Sequence, residues 1–310
     1  MPKFNITRSI QINAPQQKVF DTVADYGTWT SWSPWLCAEP DAKVTVSDDS
    51  NSVGSGYSWD GEVVGAGELE HLKLVGCERI EDEIRLLKPW KSTSQVSFDV
   101  KQVVDGSELV WSMAGSLPWF MFWMKPMMQT LIGMDYERGL NMLKELVETG
   151  NISSRIDVLG VQEVGPLRMA GVQSTCAATD IGEDMARSME RAEELFGKQG
   201  LPTDDGAAVY TDFKIGKGLF TYIAGFQLAE STPQELPGLR AWSIPKLSAF
   251  RVDHIGCYAH LGNGWNAATQ IARHKKLKQR KVGTFELYRK SPRDTDNPTE
   301  YETEIYLPLK

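Results

Sequence analysis

From about residue 152 to its end the chain repeats itself. It runs strand, helix, strand, strand, and then does so again. In the first copy the strand covers 168–174 and the helix 183–197, with Met185, Met189, Ala192 and Phe196 on one face. Two strands follow, at 207–213 and 219–228. In the second copy the strand is 250–258, the helix 264–281, and the closing strands 283–289 and 302–309. Neither unit can bury its apolar face alone. Two of them joined through one sheet, with both helices on the same side, can do so. That arrangement leaves the other side of the sheet free to curve around a ligand.

The first half has a different rhythm. Phe4, Ile6, Ile10 and Ile12 alternate along an opening strand interrupted only by Arg8. Ala14-Pro15 introduces a short helix with Val19, Phe20 and Val23 on its apolar face, followed by a loop rich in tryptophan (Trp29, Trp32, Trp35). From about 43 to 113 the pattern is strand after strand. Asp105-Gly106 sits between two alternating runs, Val96-Phe98-Val100 and Leu109-Trp111-Met113, a strong hairpin signal. Ile132, Tyr136, Leu140, Leu143 and Val147 then fall on one face of a long helix, which Gly150 terminates. A curved antiparallel sheet of this size needs that helix across its concave face, and two such surfaces often leave a cavity between them. The fold class is therefore α+β, with one domain over 1–149 and a second over 152–310.

At 310 residues the chain has room for two domains with separate cores. It is 41% hydrophobic and 24% charged, a globular composition, and its net charge of -8 is the wrong sign for a non-specific nucleic-acid binder. The opening MPKFNITRSIQIN is a strand pattern and not a secretory leader. The most apolar stretch, 117–134, is broken by Pro118, Lys125, Pro126 and Gln129. It reads as a core or pocket-covering segment and not a membrane span. The four cysteines form no CxxC pair and the four histidines are scattered, so no metal site and no cofactor is expected. Widely spaced cysteines fit free thiols in a reducing, cytoplasmic setting. Nothing in the sequence fixes an oligomeric state.

The opening strand, the APQQKVFDTVADYGTWTSWSPW segment and the long closing helix resemble the START-like (SRPBCC) superfamily in its polyketide cyclase/dehydrase-like branch, over residues 1–149. That resemblance implies a helix-grip fold around a hydrophobic pocket. The segments FTYIAGFQL at 220–228, HIGCYAHLGNGW at 254–265, FELYRKSPRDT at 285–295 and TEIYLPLK at 303–310 resemble the GyrI-like, or AraC-type effector-binding, domain. This second resemblance implies a pocket for amphipathic or cationic small molecules. Such domains occur attached to DNA-binding regulators, as free-standing proteins, and in a branch that hydrolyses cyclopropane-containing toxins. No helix-turn-helix accompanies the domain here, so direct DNA binding is not expected.

Alternation in the strand Phe285-Glu286-Leu287-Tyr288 sends Phe285 and Leu287 to one side and Glu286 and Tyr288 to the other. With Phe285 and Leu287 packed on the helices, the concave wall collects Glu286, Tyr288, Glu304, Tyr306, Tyr210 and Tyr222, with Trp242 nearby. Carboxylates among aromatic rings suit an organic cation, each cation–π contact contributing about 0.5–2 kcal/mol. A carboxyl in an apolar pocket also has a raised pKa and can serve as acid or base. The same alternation fits a polar sheet face turned to solvent, and the residues alone leave both readings open. The resemblance favours Glu286 as a pocket residue. Trp265, in GNGW, reads best as a core anchor. The basic run Arg273–Lys281 reads as a solvated helix end. In the first half Glu62, Glu68, Glu70 and His71 follow from plain strand alternation, and Trp59, Trp90, Trp111, Trp119 and Trp123 fit a cavity lining or a core equally well.

Three functions are compatible with this pattern. The first is binding of hydrophobic or amphipathic organic molecules, cations included, as a sensor or sequestering protein. The second is a hydrolase of electrophilic small molecules with Glu286 as acid–base. The third is a transcription-related regulator acting through a partner.

Overall fold

A computed structural model describes residues 3–233 and 235–310. Its contacts divide into two units, Met1–Ile152 and Ser153–Lys310. The first unit opens with β1 (Lys3–Ile12), α1 (Gln16–Ala24) and the single turn α2 (Trp29–Trp32). It continues with β2 (Lys43–Val46), β3 (Gly56–Asp60), β4 (Ala66–Val75), β5 (Arg79–Lys88), β6 (Ser92–Val103) and β7 (Gly106–Ser116), and closes with α3 (Lys125–Thr149). The strands form one antiparallel sheet in the order β1-β7-β6-β5-β4-β3-β2. The Asp105-Gly106 turn joins β6 to β7 as its sequence signals. Gly106 has φ 122°, and a Cβ there would lie 2.2 Å from the Ile12 carbonyl oxygen, so only glycine fits. At the end of α3, Gly150 takes φ 82° and its N–H donates to the Leu146 carbonyl at 2.8 Å.

The predicted face of α3 is the buried one. Tyr136, Leu140, Leu143 and Val147 lie in the core, with Ile132 packed at its margin. The space between helix and sheet holds stacked rings. Tyr136 lies on Trp111 with centroids 3.8 Å apart, and Trp111 lies on Phe98 at 5.1 Å. Such pairs add about 0.5–1.5 kcal/mol each beyond area burial. The segment 117–134 departs from its reading as a buried cover. Leu117 is buried and Met121 and Met128 touch the core, but Trp119, Phe120, Phe122 and Trp123 turn outward.

The second unit comprises β8 (Ser154–Val164), β9 (Leu167–Ala177), α4 (Ile181–Lys198), β10 (Gly206–Lys214), β11 (Leu219–Gln227), β12 (Arg240–Ile244), β13 (Leu247–Gly256), α5 (Leu261–His274), β14 (Thr284–Lys290) and β15 (Glu302–Pro308). These form one eight-stranded sheet, β12-β9-β11-β10-β14-β15-β13-β8, in which β10 and β14 join the two copies of the repeat. The alternation of β8 is hidden in the sequence by a bulge at Leu159, beside Gly160 at φ 80°: the pairing shifts between Arg251–Gly160 and Val252–Val158. α5 stops at His274 and not at 281. Lys276 adopts φ 55°, and the Leu277 N–H closes back on the Ala272 carbonyl at 2.9 Å, so most of the basic run lies beyond the helix.

The curl of this sheet decides where a ligand can sit. β12 is the edge strand at one end of the order and β13 the next-to-last strand at the other end, yet the two are joined by only two residues, Pro245 and Lys246. Two residues span only about 7 Å, so the sheet bends until those ends meet. The enclosed concave side is filled by Met169, Ala207, Val209, Ile244, Leu247, Phe285, Leu287 and Tyr306. The helices lie on the other side, α4 against Ala170, Phe226, Ala208 and Tyr222 and α5 close over β15. A Cβ on Gly264 would stand 2.7 Å from Ile305 Cδ1, which shows how tightly α5 approaches.

Candidate functional site

Glu286 projects from β14 toward the helix-bearing side, not the concave side. Its neighbour across β10 is Ala208, and across β15 it is Ile305. The small residues Gly206, Ala208 and Ala224 line this part of the sheet, and a Cβ on Gly206 would stand 3.1 Å from the Tyr288 ring. Phe285 and Leu287, expected against the helices, instead fill the concave core, because the curled sheet offers them a closed apolar interior.

The Glu286 side chain is fully buried and accepts three hydrogen bonds. Tyr288 Oη donates to Oε2 at 2.6 Å, Tyr210 Oη donates to Oε1 at 3.2 Å, and the Trp265 indole N–H, from the first turn of α5, also donates to Oε1. Among the described residues no lysine, arginine or histidine pairs with it. Burial pushes its carboxyl above the ordinary carboxylate range, and the three donors pull only part of the way back. Burial and the neighbouring Glu286 charge hold the Tyr288 and Tyr210 phenols well above their usual value, so both remain donors.

Aromatic rings surround the carboxyl. Trp265 meets Tyr210 edge to face at 5.1 Å, and Tyr258, just before α5, meets Tyr288 at 5.8 Å. On the α4 side the wall is apolar, from Ile181, Met185 and Met189. Tyr222 lies in the same cluster without touching Glu286. It is tied to α4, donating to Asp184 Oδ1 at 2.5 Å and lying 3.1 Å from Ser188 Oγ. The Asp184 carboxylate, which also accepts from Ser174, is held below its ordinary range by those two hydrogen bonds.

The structure thus brings together Glu286, Tyr288, Tyr210 and Tyr222 and separates the rest of the predicted wall. Glu304 and Tyr306 face the other way. Tyr306 stacks on Phe285 at 4.8 Å and donates to Glu304 Oε2, while Arg251 and Arg289 both reach Glu304. Glu304 is a partnered carboxylate, not a vacant one. Trp242 also lies on that side, its N–H donating to the Val282 carbonyl at 2.7 Å and its ring 5.3 Å from Phe285. Trp265, expected as a core anchor, is instead a direct partner of Glu286, and Tyr258, which strand alternation does not single out, joins the site through Tyr288. The usable signal for both was their position, immediately ahead of or inside the glycine-rich start of α5.

In the first unit the buried acid among the described residues is Asp82, and it is paired with His71. Glu68 and Glu70 pair with Arg85 on the outer face of the sheet. His71 is buried, its Nδ1 2.6 Å from Asp82 Oδ1 and its Nε2 2.8 Å from the Ala24 carbonyl, beneath a stacked Tyr26 ring. Both ring nitrogens are engaged, so this pair clamps the end of α1 to the sheet. Among the described residues no group of three or more His, Cys, Asp or Glu side chains is arranged to hold a metal ion, and the cysteines are free. Burial, with Asp184 nearby, pushes the Cys176 thiol up to about 11, which favours the protonated thiol.

These two units define a pair of α+β ligand-binding folds, a helix-grip domain and a duplicated strand-helix-strand-strand domain. The family models agree. Residues 3–148 match the family model described as polyketide cyclase / dehydrase and lipid transport, and residues 161–310 match the GyrI-like small molecule binding domain; the chain is a fusion of these two domain types. No curated protein matches the chain. Among solved structures, protein CV1439 from Chromobacterium violaceum is 19% identical over 46% of this chain and 96% of its own, with a TM-score of 0.37. The Aha1 dimer from Colwellia psychrerythraea is 16% identical over 47% and 98%, with a TM-score of 0.36. The EcmrR–DNA complex is 16% identical over 58% and 66%, with a TM-score of 0.41. Small-molecule binding is the general function both domain types support.

Proposed function

We propose that the second domain binds a lipophilic organic cation in the cleft between α4 and α5, with Glu286 as its counter-charge. The observation that carries this reading is the vacant partner. Glu286 is fully buried, held by three donors, and faced by no basic side chain among the described residues. An isolated buried carboxylate is costly unless something compensates it. A cation entering between Tyr288, Tyr210, Trp265 and Tyr258 would supply that charge and meet ring faces on the way in. The methionines of α4 suit a ligand body of variable shape. Such binding fits a sensor or a sequestering protein.

The test is calorimetric titration with a lipophilic cation and its neutral isostere. The cation should bind at least tenfold tighter at pH 8, and equal affinities would overturn the reading. A second use of the same carboxyl, as acid–base in hydrolysis of a strained-ring electrophile, is favoured by its raised pKa. Turnover that disappears in Glu286→Gln would establish it, and absence of turnover across such electrophiles would leave binding as the function.

A further inference from the structure

We infer that the aromatic tip between β7 and α3 is a docking surface for an anionic phospholipid bilayer. The tip is a six-residue 3-10 turn, Trp119–Met124. Four of its side chains are largely exposed: Trp119 by 76%, Phe120 by 59%, Phe122 by 64% and Trp123 by 65%. Exposed rings of this size amount to roughly 500 Å² of apolar surface, at the upper end of what a soluble monomer leaves uncovered.

The geometry of the turn selects the occupant. In a 3-10 helix residues three apart eclipse one another. Trp119 and Phe122 therefore form one ridge, Phe120 and Trp123 a second, and Met121 and Met124 the third, which stays half-buried with Met121 against the core. Two of three ridges are aromatic and open. A protein groove reads one face of a helix, whereas a fluid interface surrounds an inserted tip from both open sides, and tryptophan is the side chain best suited to that depth.

Charge complementarity points the same way. Trp90, 54% exposed in the β5–β6 turn, sits at the same end of the sheet. Lys91 follows it, Lys125 begins α3, and Lys3 pairs in register with Ser116 just before the tip. None of these three lysines has an ion-pair partner among the described residues, in a chain whose net charge is -8. Three lysines without ion-pair partners at the end of the sheet that carries the exposed tryptophans match an anionic headgroup layer. Each lysine at such a surface contributes about fivefold to partitioning. No helix among the described residues is long and apolar enough to cross a membrane, so contact would be peripheral.

The experiment is flotation of the full chain with vesicles of phosphatidylcholine alone and of phosphatidylcholine mixed with phosphatidylglycerol. The protein should float with the mixed vesicles, and its tryptophan emission should be quenched by brominated acyl chains. The double variant Trp119→Ser/Trp123→Ser should lose at least tenfold in partitioning while keeping its melting temperature. Lys91→Glu/Lys125→Glu should lose tenfold or more on the mixed vesicles only. Absence of flotation, equal flotation of the tryptophan variant, or a wild-type dimer that the tryptophan substitutions convert to monomer would each overturn the inference.

Discussion

Replacing Glu286 by glutamine removes a charge and leaves the shape of the site nearly unchanged. In the wild type a cation at about 4 Å from the carboxylate gains roughly 4 kcal/mol at an effective dielectric of 20. Desolvation of the incoming cation offsets part of this, leaving about 2–3 kcal/mol, or roughly 30- to 150-fold in affinity. Glutamine keeps an acceptor for Trp265 or Tyr210, so the cleft should not rearrange. Calorimetric titration at pH 8 should show that loss for the cation and less than a threefold change for its neutral isostere. Equal weakening of both ligands would mean that Glu286 acts by shape, and no weakening of either would mean that the ligand sits elsewhere. Either result refutes the charge argument.

Other consequences follow from the same geometry. Because burial raises the Glu286 pKa in the folded state, its stabilising contribution is complete at low pH and is lost as pH rises through that pKa. Glu286→Gln should therefore melt higher than wild type at pH 8 and no higher at pH 4, as read by calorimetry. Cation affinity should rise with pH, up to tenfold per unit, until the carboxyl is ionised. Tyr288→Phe removes the 2.6 Å donor that favours the charged form. It should move that midpoint up by about one to two pH units, since a hydrogen bond to a charged group contributes about 1.5–3 kcal/mol. His254 is buried beside Ser154, and burial together with the charge of His260 lowers its pKa to about 4. The unfolded chain takes up that proton near pH 6.5 and the folded one only near 4. Stability should then fall by roughly 3 kcal/mol as pH drops through this window, and His254→Gln should flatten the slope in acid denaturation.

The helix-grip unit was legible because its signals are local: Asp105-Gly106, the apolar face of α3, and Gly150 each act within a few residues. The duplicated unit was legible as a repeat. Its sidedness was not, because alternation says that Glu286 and Phe285 face opposite ways without saying which side is closed. That answer comes from the two-residue Pro245-Lys246 link, which forces the sheet to curl and makes the concave side an apolar core. Glu304 looked like Glu286 in sequence, an acid two residues from a tyrosine. Only the third dimension places Arg251 and Arg289 on one and none on the other. Trp265 reaches Glu286 from 21 residues away, because Gly264 lets α5 approach β15.

The most direct test of the account is a crystal structure of the chain with a bound lipophilic cation. The cationic centre should lie within ion-pair distance of the Glu286 carboxylate, between Tyr288, Tyr210 and Trp265. A cation found on the Glu304 side of the sheet or in the first unit, with the Glu286 hydrogen bonds undisturbed, would contradict it.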